Sequence, residues 1–201
     1  MKKSLLFLGL AIASLTTFAQ GITYGIKTGL NFSKFAGSFN GRSSTTESLL
    51  GFHIGAAVDF GLGNFSIQPG FLITSKGGVI NEETGYISTT FKYIEVPINL
   101  LFKQRIGKGK FYIGGGPYLA FATSGKNTEN DFSEDVHFGN HSGEINSSDL
   151  GLNFLVGYQL AEGFGFNLNY GLGLSNLYNG DYGPGSIKNR TISISVSYFF
   201  K

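Results

Sequence analysis

The fold is decided by a stretch in which apolar and polar residues alternate, Ile22-Thr23-Tyr24-Gly25-Ile26-Lys27-Thr28-Gly29-Leu30-Asn31-Phe32. All of its even-numbered positions except Thr28 are apolar, and its odd-numbered positions are small or polar. Because successive side chains of a β-strand point to opposite faces, this segment predicts a strand with one apolar and one polar face.

The same alternation recurs seven more times along the chain of 201 residues. No apolar face carries a charged residue, and each segment of nine to eleven residues is long enough for a tilted strand to cross a membrane. We therefore predict an all-β fold, an eight-stranded antiparallel up-and-down transmembrane β-barrel. Its remaining strands are expected at residues 52–60, 65–73, 94–102, 111–121, 150–160, 164–174 and 192–200.

The composition indicates which face of each strand points outward. Charged residues make up 14% of the chain, against about 25% in an ordinary soluble domain, and the chain contains 31 Gly, 20 Phe and 10 Tyr. A soluble barrel needs charged residues outside, whereas the polar faces here consist mainly of Gly, Ser, Thr and Asn, which fit a narrow lumen. The absence of cysteine excludes a disulfide scaffold and a thiol nucleophile.

Each predicted strand carries an aromatic residue on its apolar face near the same end of the barrel. Aromatic residues at one level form a girdle at a membrane–water interface, which predicts that this end lies at such an interface. The predicted girdle consists of Tyr24, Phe60, Phe65, Phe102, Phe111, Tyr158, Phe164 and Tyr198.

The connections between strands alternate in length, as in outer-membrane barrels. Residues 61–64, 103–110 and 161–163 are short turns on the girdle side, and residues 33–50, 77–89, 125–148 and 175–187 are predicted long outer loops. The second short turn is basic, with Lys103, Arg105, Lys108 and Lys110, whereas the third long loop is acidic. An even number of strands allows the first and last to pair, which leaves no open edge in lipid.

The first nineteen residues have the pattern of a secretory signal peptide. Lys2 and Lys3 precede an apolar run from Leu5 to Leu15, and small residues lead up to Ala19. We predict a signal peptide at 1–19, cleaved after Ala19, and a barrel domain at 20–201. The formal charge of +2 comes from Lys2 and Lys3, so the mature chain is balanced and gives no basis for nucleic-acid binding.

Four charged residues, Lys27, Asp59, Glu95 and Asp149, belong to the polar set, and the first three form the predicted structural charges of the lumen. Charges inside a narrow barrel are costly unless paired, so we expect Lys27 to meet Glu95 or Asp59, with independent hydration as the alternative. His53, also on a polar face, is expected to be a hydrogen-bonded filler of the lumen.

Candidates for chemistry are few. His137 and His141 lie near Glu134, Asp135 and Glu144, a set that suits a weak divalent-metal site, although a solvated acidic loop is the favoured interpretation. Ser142 follows His141, but no orienting acid is evident for a hydrolase. We therefore predict no catalytic, cofactor-binding or metal-binding residues, no cofactor and no enzymatic activity.

Several short motifs occur in the order and spacing of one known family. They are Tyr24 to Lys34, Gly51-Phe52-His53-Ile54-Gly55, Gln68-Pro69, Ser75-Lys76-Gly77, Tyr93-Ile94-Glu95-Val96-Pro97, Gly116-Pro117-Tyr118 and Lys188-Asn189-Arg190. Over the whole mature chain the sequence resembles the PorT-like family of outer-membrane β-barrel proteins, often labelled porin-family proteins. The resemblance implies a Gram-negative outer membrane and a link to protein secretion, but no catalytic or binding residues.

Three functions are compatible with these features. The favoured one is a monomeric envelope protein whose barrel anchors it in outer-membrane lipid and whose loops or turns contact other envelope or secretion proteins. The second is a small-solute channel, although eight strands leave an interior about wide enough for side chains alone. The third is a soluble periplasmic barrel that binds a lipophile.

Overall fold

The computed structural model describes residues 21–39, 41–82, 85–130, 132–139, 144–179 and 185–200. The predicted signal peptide and its cleavage after Ala19 lie outside these residues and stay predictions. Within the described ranges, no helix is long and apolar enough to cross a bilayer.

The described residues form ten β-strands, eight long and two short. The strands are β1 (Ile22–Phe39), β2 (Arg42–Thr45), β3 (Glu47–Leu62), β4 (Phe65–Glu82), β5 (Gly85–Ile106), β6 (Gly109–Glu129), β7 (Phe132–Asp135), β8 (Ser148–Leu160), β9 (Phe164–Gly173) and β10 (Gly185–Phe200). The two short strands, β2 and β7, pair with the long-loop ends of β1 and β6.

The eight long strands close into an antiparallel barrel. Each pairs with the next long strand along the chain, and β10 returns to pair with β1 from Tyr24↔Phe200 to Phe39↔Gly185. Closure satisfies the backbone groups that an open sheet would leave unpaired at its edges. The predicted eight-stranded up-and-down barrel is confirmed.

The barrel is apolar outside, and its lumen at mid-height is mainly polar. Ile26 and Leu168 on the outer surface are 57% and 52% exposed, whereas Asn31 and Ser195 in the lumen are 2% and 1% exposed. The alternation that predicted two-faced strands thus places the apolar face outward, as the composition indicated. This arrangement is the reverse of a soluble barrel.

The strands are longer than predicted, because much of each predicted long loop is paired strand. β4 continues to Glu82 and β5 begins at Gly85, so residues 77–82 and 85–89 belong to paired strands. The segment 33–50 belongs largely to β1, β2 and β3, and β6 runs to Glu129. The alternation pattern did not predict these extensions, because the ends of the strands near the long loops do not require one apolar face. Strict alternation is therefore lost there, while backbone pairing continues.

The opposite end of the barrel has short turns at the three predicted places. Two of them are shorter than predicted, because β3 runs to Leu62, β5 runs to Ile106 and β6 begins at Gly109. Gly63, Gly107 and Gly163 have φ values of 64°, 59° and 103°. Because such positive φ values are costly for residues with a Cβ atom, glycine at these three positions allows the tight reversals.

Candidate functional site

The lumen contains three regions stacked along the barrel axis. The luminal network, around Lys76, fills the middle; the inner aromatic cluster, around Phe91, closes the long-loop end; and the short-turn vestibule opens between the short turns. Each region is built from the inward-facing positions of the strands, so the same alternation positions all of them.

Lys76 is the central charge of the luminal network. Its Nζ atom lies 2.7 Å from Glu95 Oε2 and 3.5 Å from Asp149 Oδ2, and all three side chains are less than a tenth exposed. The ammonium group also lies 4.2 Å from the ring centroid of Tyr118 and 5.4 Å from that of Tyr93, within reach of cation–π attraction. One buried cation is therefore held between two carboxylates and two aromatic rings.

Asp149 is completely buried and ties β8 to its neighbours across the lumen. Its Oδ2 atom accepts hydrogen bonds from the hydroxyl of Tyr118 at 3.1 Å and from Nδ2 of Asn189 at 2.8 Å. Asn189 Nδ2 also donates to the hydroxyl of Tyr93 at 3.4 Å. A buried charge of this kind is tolerated when several donors satisfy it, and here they come from three other strands.

Asp59 belongs to a separate cluster, close to the short turns. It forms a salt bridge with Lys103, and its Oδ2 atom accepts hydrogen bonds from Gln68 Nε2 at 2.9 Å and from Ser66 Oγ at 3.3 Å. Asp59 as a whole is 5% exposed. These contacts join β3, β4 and β5 at the floor of the short-turn vestibule.

The expected pairing of Lys27 with Glu95 or Asp59 is wrong. Glu95 pairs with Lys76 and Asp59 with Lys103, and among the described residues Lys27 has no carboxylate within 4 Å. Lys27 and Glu95 do line the same small cavity of 30 Å³. Alternation shows which residues face the lumen, but it does not give their height or which long side chain reaches which carboxylate.

Sequence reasoning missed Lys76 as a luminal charge because the third predicted strand ended before it. In the structure β4 continues to Glu82, and Lys76 keeps the inward parity of Leu72 and Thr74, all three of which are buried. Continuing the alternation from Thr74 by two residues would have identified Lys76 as an inward-facing residue.

His53 is hydrogen-bonded inside the lumen, which confirms its expected role as a filler. Its Nδ1 atom lies 2.8 Å from Asn31 Oδ1 and its Nε2 atom 2.9 Å from Ser195 Oγ. Ser193 Oγ donates to the same oxygen of Asn31 at 2.8 Å, while Asn31 Nδ2 donates to Thr74 Oγ1 at 2.8 Å. These side chains link β10, β1, β3 and β4, and so reinforce the closure between the first and last strands.

The inner aromatic cluster fills the lumen at the long-loop end. Phe91 is 3% exposed, and its ring centroid lies 5.5 Å from those of both Phe35 and Phe138. Leu177 from the last long connection is fully buried against the same group. Apolar side chains thus occupy inward positions here, whereas the middle of the lumen around Lys76 is mainly polar. A second, smaller apolar cluster, Leu101, Tyr112 and Leu155, is buried closer to the short turns.

The short-turn vestibule is a cavity of 970 Å³ bounded by the three short turns and by the ends of β1 and β10. Its lining carries five charged residues, Asp59, Lys103, Arg105, Lys108 and Lys110. The cavity that Lys27 lines, deeper in the lumen, has room for about one water molecule. Between the two ends, the lumen is occupied mainly by side chains.

The eight predicted girdle residues all have outward parity and lie within four positions of a strand end on the short-turn side. Tyr24 and Phe65 are 63% and 52% exposed. Some of the aromatic rings contact one another across strands: the centroids of Phe65 and Phe102 are 5.3 Å apart, and those of Phe164 and Tyr198 are 4.9 Å apart. The residues thus form a ring of aromatic side chains around one end of the barrel.

The loop histidines form no recognisable metal centre in the described part of the chain. His137 is exposed, and His141 lies outside the described residues. Among the residues that are described, no group of three or more His, Cys, Asp or Glu residues is arranged to hold a metal ion.

Comparison with known proteins gives a family and a fold. The family model described as "Outer membrane protein beta-barrel domain" matches residues 18–179. The structure is similar to that of Neisserial surface protein A (NspA), with 13% identity, a TM-score of 0.50, and coverage of 90% of this chain and 99% of that one. Ail, the attachment invasion locus protein of Yersinia pestis, aligns at 20% identity and a TM-score of 0.46, over 90% of this chain and 99% of that one. No curated protein matches this sequence.

Proposed function

Because the chain belongs to the outer membrane protein β-barrel domain family, we propose that it is a non-enzymatic integral protein of the Gram-negative outer membrane that anchors an interaction surface in the envelope. The barrel is the anchor, and its long-loop and short-turn ends are the surfaces that contact other envelope proteins. The observation that carries the proposal is an apolar outer wall around a lumen that is blocked by side chains, with a buried ion-pair network around Lys76.

The outer wall favours lipid as its surroundings. Large apolar side chains such as Ile26, Phe71 and Leu168 are about half exposed, and similar residues surround the barrel. A soluble monomer rarely exposes a continuous apolar patch larger than a few hundred Å². A soluble lipophile-binding barrel would bury its apolar face around a cavity, whereas this lumen is lined at mid-height by Asn31, His53, Lys76 and Glu95.

The filled lumen weighs against the small-solute channel. A solute passing from the vestibule to the long-loop end would have to displace Lys76 from its two carboxylates and then separate the rings of Phe35, Phe91 and Phe138. The first rearrangement would leave buried carboxylates without their cation, and the second would open a cavity among packed rings. Both are costly in free energy. The barrel therefore suits anchoring better than conduction.

The proposal includes export and assembly. The signal peptide predicted at residues 1–19 directs Sec-type export, and the monomeric barrel then inserts in outer-membrane lipid with its short turns in the periplasm. The girdle around Tyr24 and Phe65 lies at the periplasmic interface. The resemblance to the PorT-like family supports a partner among secretion proteins.

Two measurements on the purified mature protein test the proposal. A folded membrane barrel resists unfolding in SDS until it is heated, so we expect the unheated sample to migrate faster than the boiled one, and the protein to fractionate with outer membranes. In planar bilayers we expect no reproducible conductance steps. Recovery in the soluble periplasm contradicts the membrane anchor, and regular open-channel steps support the channel instead.

A further inference from the structure

The short-turn vestibule is large compared with the rest of the lumen. Its volume of 970 Å³ is at the upper end of the range of about 300–1,000 Å³ that is typical of ligand-binding pockets. Six of its lining residues are glycines, among them Gly63, Gly107 and Gly163 in the turns. Because glycine has no side chain, these positions keep the cavity wide and leave backbone at its rim.

The charge of the vestibule is unbalanced. Lys103 is neutralised by Asp59, the carboxylate of the lining, which also accepts hydrogen bonds from Gln68 and Ser66. Arg105, Lys108 and Lys110 remain, all exposed and placed on one hairpin, where β5 ends and β6 begins. Glu162 in the neighbouring turn is exposed, but it does not line the cavity.

A ligand can reach this cavity from the short-turn side. Above the floor formed by Asp59 and Lys103, the lumen narrows to the cavity of 30 Å³ beside Lys27, and higher still the inner aromatic cluster fills it. The vestibule therefore has one open mouth and a closed floor.

We propose that the short-turn vestibule binds an acidic peptide segment of a periplasmic protein. This inference rests on the proposed function, because the vestibule faces the periplasm only if the barrel spans the outer membrane with its short turns on the periplasmic side. Arg105, Lys108 and Lys110 supply the charge complementarity, while the glycine-rich rim gives an extended chain access to the cavity.

A peptide fits the site better than a lipid headgroup or inorganic phosphate. The vestibule opens inside the ring of strands, whereas lipid surrounds the outer wall that carries Phe102 and Phe111. A single phosphate is much smaller than the cavity, and the three unmatched cations are spread along the hairpin from Arg105 to Lys110. A chain with several carboxylates can meet all three at once.

Binding is measured by fluorescence anisotropy with hexaglutamate that carries an uncharged dye and with hexaglutamine as the control peptide. The full mature protein is held in nanodiscs of phosphatidylcholine, which add no net charge. The test variant is Arg105→Gln with Lys108→Gln. The matched control is Lys92→Gln with Lys126→Gln, which removes two exposed lysines from the long-loop half of the barrel.

We expect hexaglutamate to bind and hexaglutamine not to bind. The test variant should weaken binding about tenfold or more and the control variant less than about twofold, since only the first pair lines the cavity. Raising the salt from about 0.05 M to about 0.5 M should weaken binding as well, because screening shortens the range of exposed charges.

Three results overturn the inference: no binding of hexaglutamate, equal losses in the two variants, or binding of inorganic phosphate alone. A gel of heated and unheated samples is run on every variant. If the wild-type protein shows no folded band and does not enter nanodiscs, the proposed membrane anchor itself fails. If it is folded and inserted but binds no hexaglutamate, only the peptide site fails.

Discussion

The luminal network around Lys76 and the inner aromatic cluster at the long-loop end use the same strand geometry with opposite chemistry. In β1, the inward positions Asn31 and Ser33 are polar and buried, and the next inward position is the buried Phe35. In β5, Glu95 points inward, and so do Tyr93 and Phe91 closer to the loops. Strand geometry therefore decides which side chains point inward, and the surroundings decide what those side chains are.

The outward positions change in the complementary way. Phe32 and Ile94 lie on the outer surface, whereas the exposed residues farther along the same strands include Lys34 and Lys92. At mid-height the barrel has an apolar surface and a mainly polar lumen, and toward the long-loop end it has a buried aromatic cluster and exposed lysines on its surface. We expect such a transition at the level where lipid gives way to water.

The largest effect is expected from removing the central cation of the luminal network. Lys76→Met leaves Glu95 and Asp149 buried without their shared partner, which should lower the free energy of unfolding by about 3–5 kcal/mol. This loss of stability is measured by urea unfolding in lipid vesicles, with the folded and unfolded fractions monitored as separate bands on a gel. Lys27→Met is the matched control, because Lys27 lines the same cavity without an ion pair at contact distance. Equal losses in the two variants would contradict the special role of Lys76.

A charge introduced on the outer wall tests whether the apolar surface at mid-height faces lipid. Leu168 in β9 is half exposed and paired with Ile194 and Val156, well inside the apolar belt. Leu168→Arg should cost about 2–4 kcal/mol, as expected for an arginine that faces lipid near the bilayer midplane. The same vesicle unfolding assay measures this cost, with Asn169→Ser on the luminal side as a nearly neutral control. A tolerated Leu168→Arg would place this position in water.

A smaller change tests the inner aromatic cluster at the long-loop end. Phe91→Leu removes part of a ring that packs on Phe35, Tyr93 and Phe138, and should cost about 1–1.5 kcal/mol. Phe71→Leu changes a side chain that is 53% exposed on the outer wall, so its effect should be close to zero. Urea midpoints of the two variants decide the point. If Phe71→Leu is the more harmful, the packed interior does not lie at the long-loop end.

The two faces can be distinguished with almost no effect on stability. Because the chain has no native cysteine, Leu168→Cys and Asn169→Cys each introduce one attachment site for a small fluorophore. Lipids that carry a quencher should reduce the emission at position 168 and leave position 169 unchanged. Quenching at 169 alone would reverse the assignment of the faces, and quenching at neither position would remove this strand from the lipid.

The sequence predicted the barrel well because alternation is a local property. Each segment such as Ile22–Phe32 carries its own evidence for two faces, and the absence of charge from the apolar faces indicated that they point outward. The outer strand extensions were missed for the same reason. From Ser33 to Phe35 the inward side changes from polar to apolar, so the pattern that identified the strand is lost while the pairing continues.

The candidate site was less predictable because it depends on distances between strands. Glu95 and Asp59 were correctly placed in the lumen, but their partners Lys76 and Lys103 lie 19 and 44 residues away in the chain. Inward parity is shared by many residues, and it does not tell how far a lysine side chain reaches along the barrel axis. The vestibule was not anticipated either, because it forms only when three separate turns surround one opening.

The seam between β1 and β10 has a consequence for the order in which the barrel is made. Its side-chain contacts join residues far apart in the chain, with 142 positions between His53 and Ser195 and 162 between Asn31 and Ser193. Contacts of such high sequence separation carry a large loop-closure entropy and form late. Until β10 joins the sheet, β1 and β9 each have one unpaired edge, and such an edge is prone to pair with other chains. The growing sheet must therefore be shielded from lipid and from its neighbours until its last strand is in place.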